Sequence, residues 1–216
     1  AYLAPTVTRR FATGNPVDLL SGPGGSLYVL DGAAGTLSRY DRDGNRLDFF
    51  GASGSGSGQL SNPQAFAIAQ DGRFYVADTG NDRIQVFGAS GAFERTIGSP
   101  GSGLGQLRRP LGIAISEDRI IVSDQGNQRI ATFSLDGAAL GSFPGVDPRG
   151  LSDVSGHGVL LALPQAGVAS LVERSLTSIS TLDDRFAAGE LGSPVDVAPG
   201  EDGIWLADGS APRIWA

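Results

Sequence analysis

Asp71-Gly-Arg-Phe-Tyr-Val-Ala-Asp-Thr-Gly-Asn-Asp-Arg-Ile-Gln-Val-Phe87 joins one apolar run, ending at Asp78, to a second that opens on Arg83. The first run recurs along the chain. Leu27-Tyr-Val-Leu-Asp31, Ile120-Ile-Val-Ser-Asp124 and Ile204-Trp-Leu-Ala-Asp208 repeat it, and Leu160-Leu-Ala-Leu-Pro164 is a degenerate copy. Their last positions step by 47, 46, 40 and 44 residues. A period of about 40–50 residues marks stacked supersecondary units, each unable to bury its apolar face alone. Ahead of each run stands a proline opening a short apolar stretch: Pro16, Pro63, Pro110, Pro148 and Pro194. Proline can start a strand but cannot sit inside a central one.

Each unit therefore reads as four strands. The first leaves the proline and the second ends at the aspartate; the third carries Arg-Ile (Arg83-Ile84, Arg129-Ile130, Arg213-Ile214), and a fourth follows. Turns such as Asp41-Arg-Asp-Gly-Asn45, Gly88-Ala-Ser-Gly91 and Leu135-Asp-Gly137 supply the residues that a hairpin between third and fourth strands requires. Composition agrees with a turn-rich all-β chain: Gly 33 and Pro 12 make about a fifth of the 216 residues, below the level of low-complexity disorder.

With Gly56-Ser-Gly-Gln-Leu-Ser-Asn-Pro63 ahead of the quoted stretch, and Gly103-Leu-Gly-Gln-Leu-Arg-Arg-Pro110 through Asp124-Gln-Gly-Asn-Gln-Arg-Ile130 repeating it, the chain resembles the NHL-repeat β-propeller family. The resemblance is strong in the second and third units and weak in the fourth. It implies a propeller of four-stranded antiparallel blades, of which five are visible. As one domain over residues 1–216, the blades are expected at about 15–51, 61–98, 108–143, 146–182 and 193–216. The last stops on its third strand, and Thr6-Val-Thr-Arg-Arg-Phe11 resembles the close of the second blade. The ring is thus expected to be zipped by residues 6–11 completing the last blade, which would remove an exposed strand edge; the alternative, since propellers of this family usually have six blades, is a six-bladed parent missing one blade.

The spacing Asp78/Asn81/Arg83, repeated as Asp124/Asn127/Arg129 and in part as Asp208/Arg213, is a structural turn lock on this reading. A carboxylate ending one strand meets an arginine starting the next, a bidentate pairing is expected, and Asn suits the left-handed position of the turn. Thr36 in the first blade, and Pro164 with Ala169 in the fourth, require another closure there. The glycine-rich stretches Gly51–Gly58 and Gly98–Gly105 read as linkers between blades, since no helix start or lysine follows them to make a phosphate cradle. Asp41-x-Asp43-x-Asn45 opens like a calcium loop but lacks the glutamate at the twelfth position, so it reads as a turn.

Chemistry is scarce. The chain has no Cys, no Met and one histidine, His157, and all 16 basic residues are arginine, against 23 acidic ones. One histidine cannot build the ligand set of the propeller lyases and hydrolases similar to this family, and no nucleophile motif is present. No catalytic residue, metal ligand or cofactor site is expected. A net charge of −7 opposes phosphate binding, so nucleic acid is not an expected partner. No apolar run reaches the length of a membrane span.

The expectation is a non-enzymatic propeller serving as a protein-binding or scaffold subunit, exported to the periplasm or outside the cell with a processed N-terminus. It would be accessory to a membrane-associated bacterial assembly. The alternative is a propeller lyase or hydrolase using acidic residues and a divalent metal in the channel. Loops leaving the second strands and loops linking the blades should share one face, because every unit repeats one up-and-down path. Partner contacts are expected there, at Leu104, Leu107 and Arg108, or on the uncharged fourth unit at Val168 and Leu171.

Overall fold

A computed structural model describes residues 14–116 and 118–144, and from residue 151 onward the backbone of seven strand segments. Each apolar period becomes one antiparallel sheet with its strands in chain order. The first sheet is Pro16–Ser21, Leu27–Asp31, Thr36–Tyr40 and Arg46–Phe50. The second is Ala65–Ile68, Phe74–Asp78, Arg83–Phe87 and Phe93–Ile97; the third is Pro110–Ser116, Arg119–Asp124, Arg129–Ser134 and Ala139–Pro144. Leu151–Val154, Gly158–Leu163, Val168–Val172 and Ile179–Thr181 make the fourth. Among the described residues the fifth has three strands, Pro194–Pro199, Ile204–Asp208 and Arg213–Trp215. Residues 6–11, expected to complete it, lie outside the described residues.

The first strands of consecutive sheets lie side by side from the first sheet to the fifth, so the sheets stack face to face around an axis. The chain is a β-propeller. This stacking explains why Phe74-Tyr-Val-Ala-Asp78 is apolar on both faces rather than alternating: every residue in it is buried. Phe74 and Val76 pack toward the first sheet with Leu30, Leu37 and Phe66. Tyr75 and Ala77 pack toward the third with Ile113, Ile120 and Phe133. Phe50 of the first sheet's outer strand lies 5.0 Å, ring to ring, from both Phe74 and Phe87.

Two-residue parallel pairings close the linkers. Ala52–Ser53 runs beside Gln59–Leu60, and Ser99–Pro100 beside Gln106–Leu107. Leu60 and Leu107 are buried in the seams between blades. In the second blade the strand begins at Ala65, two residues after the proline that announces it.

Candidate functional site

The linkers and the turns after the second strands meet at one end of the sheets. Asp78, fully buried, organises this meeting in the second blade. Its carboxylate accepts from the Ser61 N–H at 2.7 Å, Asn81 Nδ2 at 2.9 Å, Arg83 Nε at 2.7 Å and Gln85 Nε2 at 3.1 Å. Arg83 also donates to the carbonyls of Gly56 and Gln59, at 2.8 and 3.1 Å, and Asn81 to that of Gly54 at 3.0 Å. Gln85 donates to the Gln59 carbonyl as well and accepts from the Gly58 N–H at 2.8 Å.

The third blade repeats the arrangement. Asp124 accepts from the Arg108 N–H at 2.7 Å, Asn127 Nδ2 at 2.8 Å and Arg129 Nε at 2.7 Å. Arg129 reaches the carbonyls of Ser102 at 2.9 Å, Gly103 at 3.0 Å and Gln106 at 2.6 Å, while Asn127 reaches Gly101 at 2.9 Å. A buried carboxylate and guanidinium are tolerable only when paired and fully hydrogen-bonded, and this network meets both conditions. Both charges are committed to holding the linker loop against the blade.

Two details depart from the sequence reading. The arginine fork is not bidentate toward the aspartate: Nε meets the carboxylate, and the terminal nitrogens grip linker carbonyls. The left-handed residues are Asp82 (φ 54°) and Gln128 (φ 52°), each one place after the asparagine, which sits instead in a 3-10 turn and donates to the lock. The glycine of each turn serves close approach, since a Cβ on Gly80 would lie 2.7 Å from the Ser61 carbonyl and one on Gly126 would lie 2.7 Å from that of Arg108. Those same glycines donate their N–H groups to these carbonyls at 2.8 Å.

In the first blade, where Thr36 replaces the arginine, Asp31 accepts instead from the N–H groups of Ala34 at 2.8 Å, Ala33 at 2.9 Å and Asn15 at 3.1 Å. Burial raises the Asp31 pKa, but the N–H groups of Ala34, Asn15 and Ala33 outweigh it and hold the carboxyl below its usual value. In the fifth blade Asp208 pairs with Arg213 in the same backbone register as Asp78 with Arg83. Asp41 closes its own turn, accepting from the N–H groups of Asp43 at 2.8 Å and Asn45 at 2.9 Å; the Asn45 side chain beside it lowers its pKa.

Of the residues expected to meet a partner, Leu104 stands at the tip of the second linker with 68% of its surface exposed, and Arg108 is exposed where that linker leaves. Leu107 is buried at 0% exposure between the second and third sheets and belongs to the core, which corrects its assignment to a binding surface. The position repeats Leu60, equally buried in the preceding linker, and that repetition is the signal for a core role. Val168 and Leu171 lie on the third of four strands in the fourth sheet; their side chains are outside the described residues, as is His157. Arg109 is exposed, with φ 48°, and its N–H donates to Asp82 at 2.7 Å. Gln85, buried within the lock, carries no mark in the sequence beyond being the lone amide in Arg83-Ile-Gln-Val-Phe87.

Residues 60–143, less than half of the chain, match the family DUF5128, described as a 6-bladed beta-propeller. No curated protein matches by sequence. Solved structures match across most of the chain. A catalytically inactive virginiamycin B lyase from Staphylococcus aureus, solved with quinupristin, is 15% identical with a TM-score of 0.70, covering 91% of this chain and 64% of that one. A streptogramin B lyase is 16% identical at a TM-score of 0.71, covering 94% and 68%. The structure of U3-55K is 16% identical at 0.69, covering 95% and 64%. The chain thus spans about two thirds of the length of each. At such identities the likeness concerns the fold, which enzymes and other propellers share.

Proposed function

We propose that the chain is a non-enzymatic propeller that binds protein partners through its linker face. The observation that carries this reading is the fate of the charged groups at that face. In the second and third blades the aspartate, asparagine and arginine are all bonded to the linker backbone, so they build a rigid frame and leave the loop tips to be displayed. Loops on a rigid scaffold are where binding residues concentrate. WD40 propellers such as RRP9 stand among its structural neighbours at 16% identity, which is in keeping with a repeat fold used for interaction.

The test is capture of partners from the native source by the intact chain and by a Leu104→Ser/Arg108→Ser variant. A partner retained by the first and lost by the second supports the reading. A divalent metal that stays stoichiometric through dialysis would turn the reading toward an enzyme.

A further inference from the structure

The two linkers are copies set 47 residues apart: Gly51, Gly54, Ser55, Gly56, Gly58, Gln59, Leu60 and Pro63 recur as Gly98, Gly101, Ser102, Gly103, Gly105, Gln106, Leu107 and Pro110. They fold alike. Gly56 donates to the Gln59 side chain at 2.9 Å and Gly103 to that of Gln106 at 2.8 Å. Five positions differ on this common frame: Ala52 and Ser53 become Ser99 and Pro100 in the short parallel pairing, and three others change from small polar groups to one large apolar and two cationic ones. Ser57, Ser61 and Asn62 become Leu104, Arg108 and Arg109.

The frame explains none of these three changes. Leu104 is largely exposed, and the ion pairs of the described residues include neither Arg108 nor Arg109. The carboxylates bonded to this segment take its backbone instead: Asp82 accepts from the Arg109 N–H, and Asp124 from the Arg108 N–H and the Arg129 side chain. Arg109 occupies the left-handed conformation that Asn62 adopts at φ 45°. Asparagine visits that region readily and arginine seldom does, so the change at this position does not improve the frame. Its backbone is fixed from the neighbouring blade through Asp82, so the guanidinium is presented from a held position.

We propose that Leu104, Arg108 and Arg109 form a docking site for an extended protein segment bearing one or two carboxylates beside an apolar side chain. Charge complementarity selects that occupant. Unpaired guanidiniums recognise carboxylates through charge-assisted hydrogen bonds, and arginine is among the residue types that carry interface hot spots. Two arginines in a chain of net charge −7 do not make a phosphate-binding field, which sets RNA apart from the proposal.

The proposal rests on the reading of the chain as a protein-binding subunit. A labelled six-residue peptide with two central glutamates flanked by leucines is titrated into the full chain, beside its glutamine counterpart and an oligouridylate of similar length. The variants are Leu104→Ser and Arg108→Ser/Arg109→Asn, which restore the residues of the preceding linker and so keep a frame already known to fold. The glutamate peptide is expected to bind at least about tenfold tighter than the glutamine one, and the double variant to lose about tenfold or more, with an unchanged or raised melting temperature. Equal affinity for both peptides, no binding, indifference to the double variant, or binding of the RNA alone would each overturn the site. A natural partner captured equally by wild type and the double variant would leave the protein-binding reading standing and overturn this site alone.

Discussion

Replacing Arg129 by alanine isolates what the lock contributes. The guanidinium donates to Asp124 and to the carbonyls of Ser102, Gly103 and Gln106, and its side chain is only 11% exposed. Its removal leaves Asp124 buried with two donors, the Arg108 N–H and Asn127. Breaking a buried ion pair by deleting one partner costs about 3–5 kcal/mol. The two remaining donors place Arg129→Ala near the lower end, about 3 kcal/mol, or roughly 6–12 °C of melting temperature for a chain of this size. Arg83→Ala should cost less, about 2 kcal/mol, because Asp78 keeps Gln85, whose place in the third blade is taken by Ala131. Urea unfolding of both variants checks the order. Hydrogen exchange checks the location, with faster exchange at the Gly103 and Gln106 amides of Arg129→Ala. A loss under about 1 kcal/mol for Arg129→Ala, or a larger loss for Arg83→Ala, would refute the assignment of the lock as the element that holds the linker.

Three further outcomes are expected. Leu107→Ala should cost about 2–5 kcal/mol by opening a cavity between two sheets, whereas Leu104→Ala should stay within about 0.5 kcal/mol; urea unfolding separates them. Asp31 has a folded-state pKa below its ordinary value of 3.8, so the stability it adds is present above that pH and is lost as pH falls through the lower folded value; Asp31→Asn should flatten this acid limb in unfolding curves measured from pH 5 downward. Tyr75 is raised above 10.0 by burial, with its hydroxyl donating to the Leu135 carbonyl at 3.3 Å, so the stability it adds is present below pH 10 and is lost as pH rises through the higher folded value; in an ultraviolet titration Tyr75→Phe should remove a phenol that ionises above 10.0 in the native chain.

Much of the fold was legible because the physics repeats. A run ended by an acid and followed five places on by an arginine recurs in the second and third blades, where the lock anchors a linker, and Asp78, Asp124, Arg83 and Arg129 pair there as that spacing implies. The partners of the lock were not legible, because they are backbone carbonyls of Gly54, Gly56, Gly101 and Gly103, and a glycine-rich loop shows nothing of where its carbonyls point. The left-handed residue falls one position later than the preference of asparagine implies: asparagine suits that conformation, yet here its side-chain donors are needed by the aspartate, so Asp82 and Gln128 take the positive φ instead. Leu107 looked like a surface residue because its neighbours are glycine, glutamine and arginine, whereas the parallel pairing of Ser99–Pro100 with Gln106–Leu107 turns it inward.

Leu107 and Leu104 separate frame from function in a repeated fold. A residue that recurs at the same phase, as Leu60 and Leu107 do, answers a demand every blade makes, and its burial follows from the shared geometry. A residue that breaks the repeat without improving the frame answers something else. Leu104, Arg108 and Arg109 break it together, in a loop held by side chains that do recur, Gln106, Asn127 and Arg129, and by the Arg108 and Arg109 N–H groups, which a change of side chain leaves in place. Leu104 is exposed and Arg109 occupies a conformation that suits the asparagine of the preceding linker better, so neither stabilises the blade that carries it. Their presence is accounted for by a surface that meets another molecule, which is why reverting them to Ser57, Ser61 and Asn62 is expected to spare the fold and weaken only the contact.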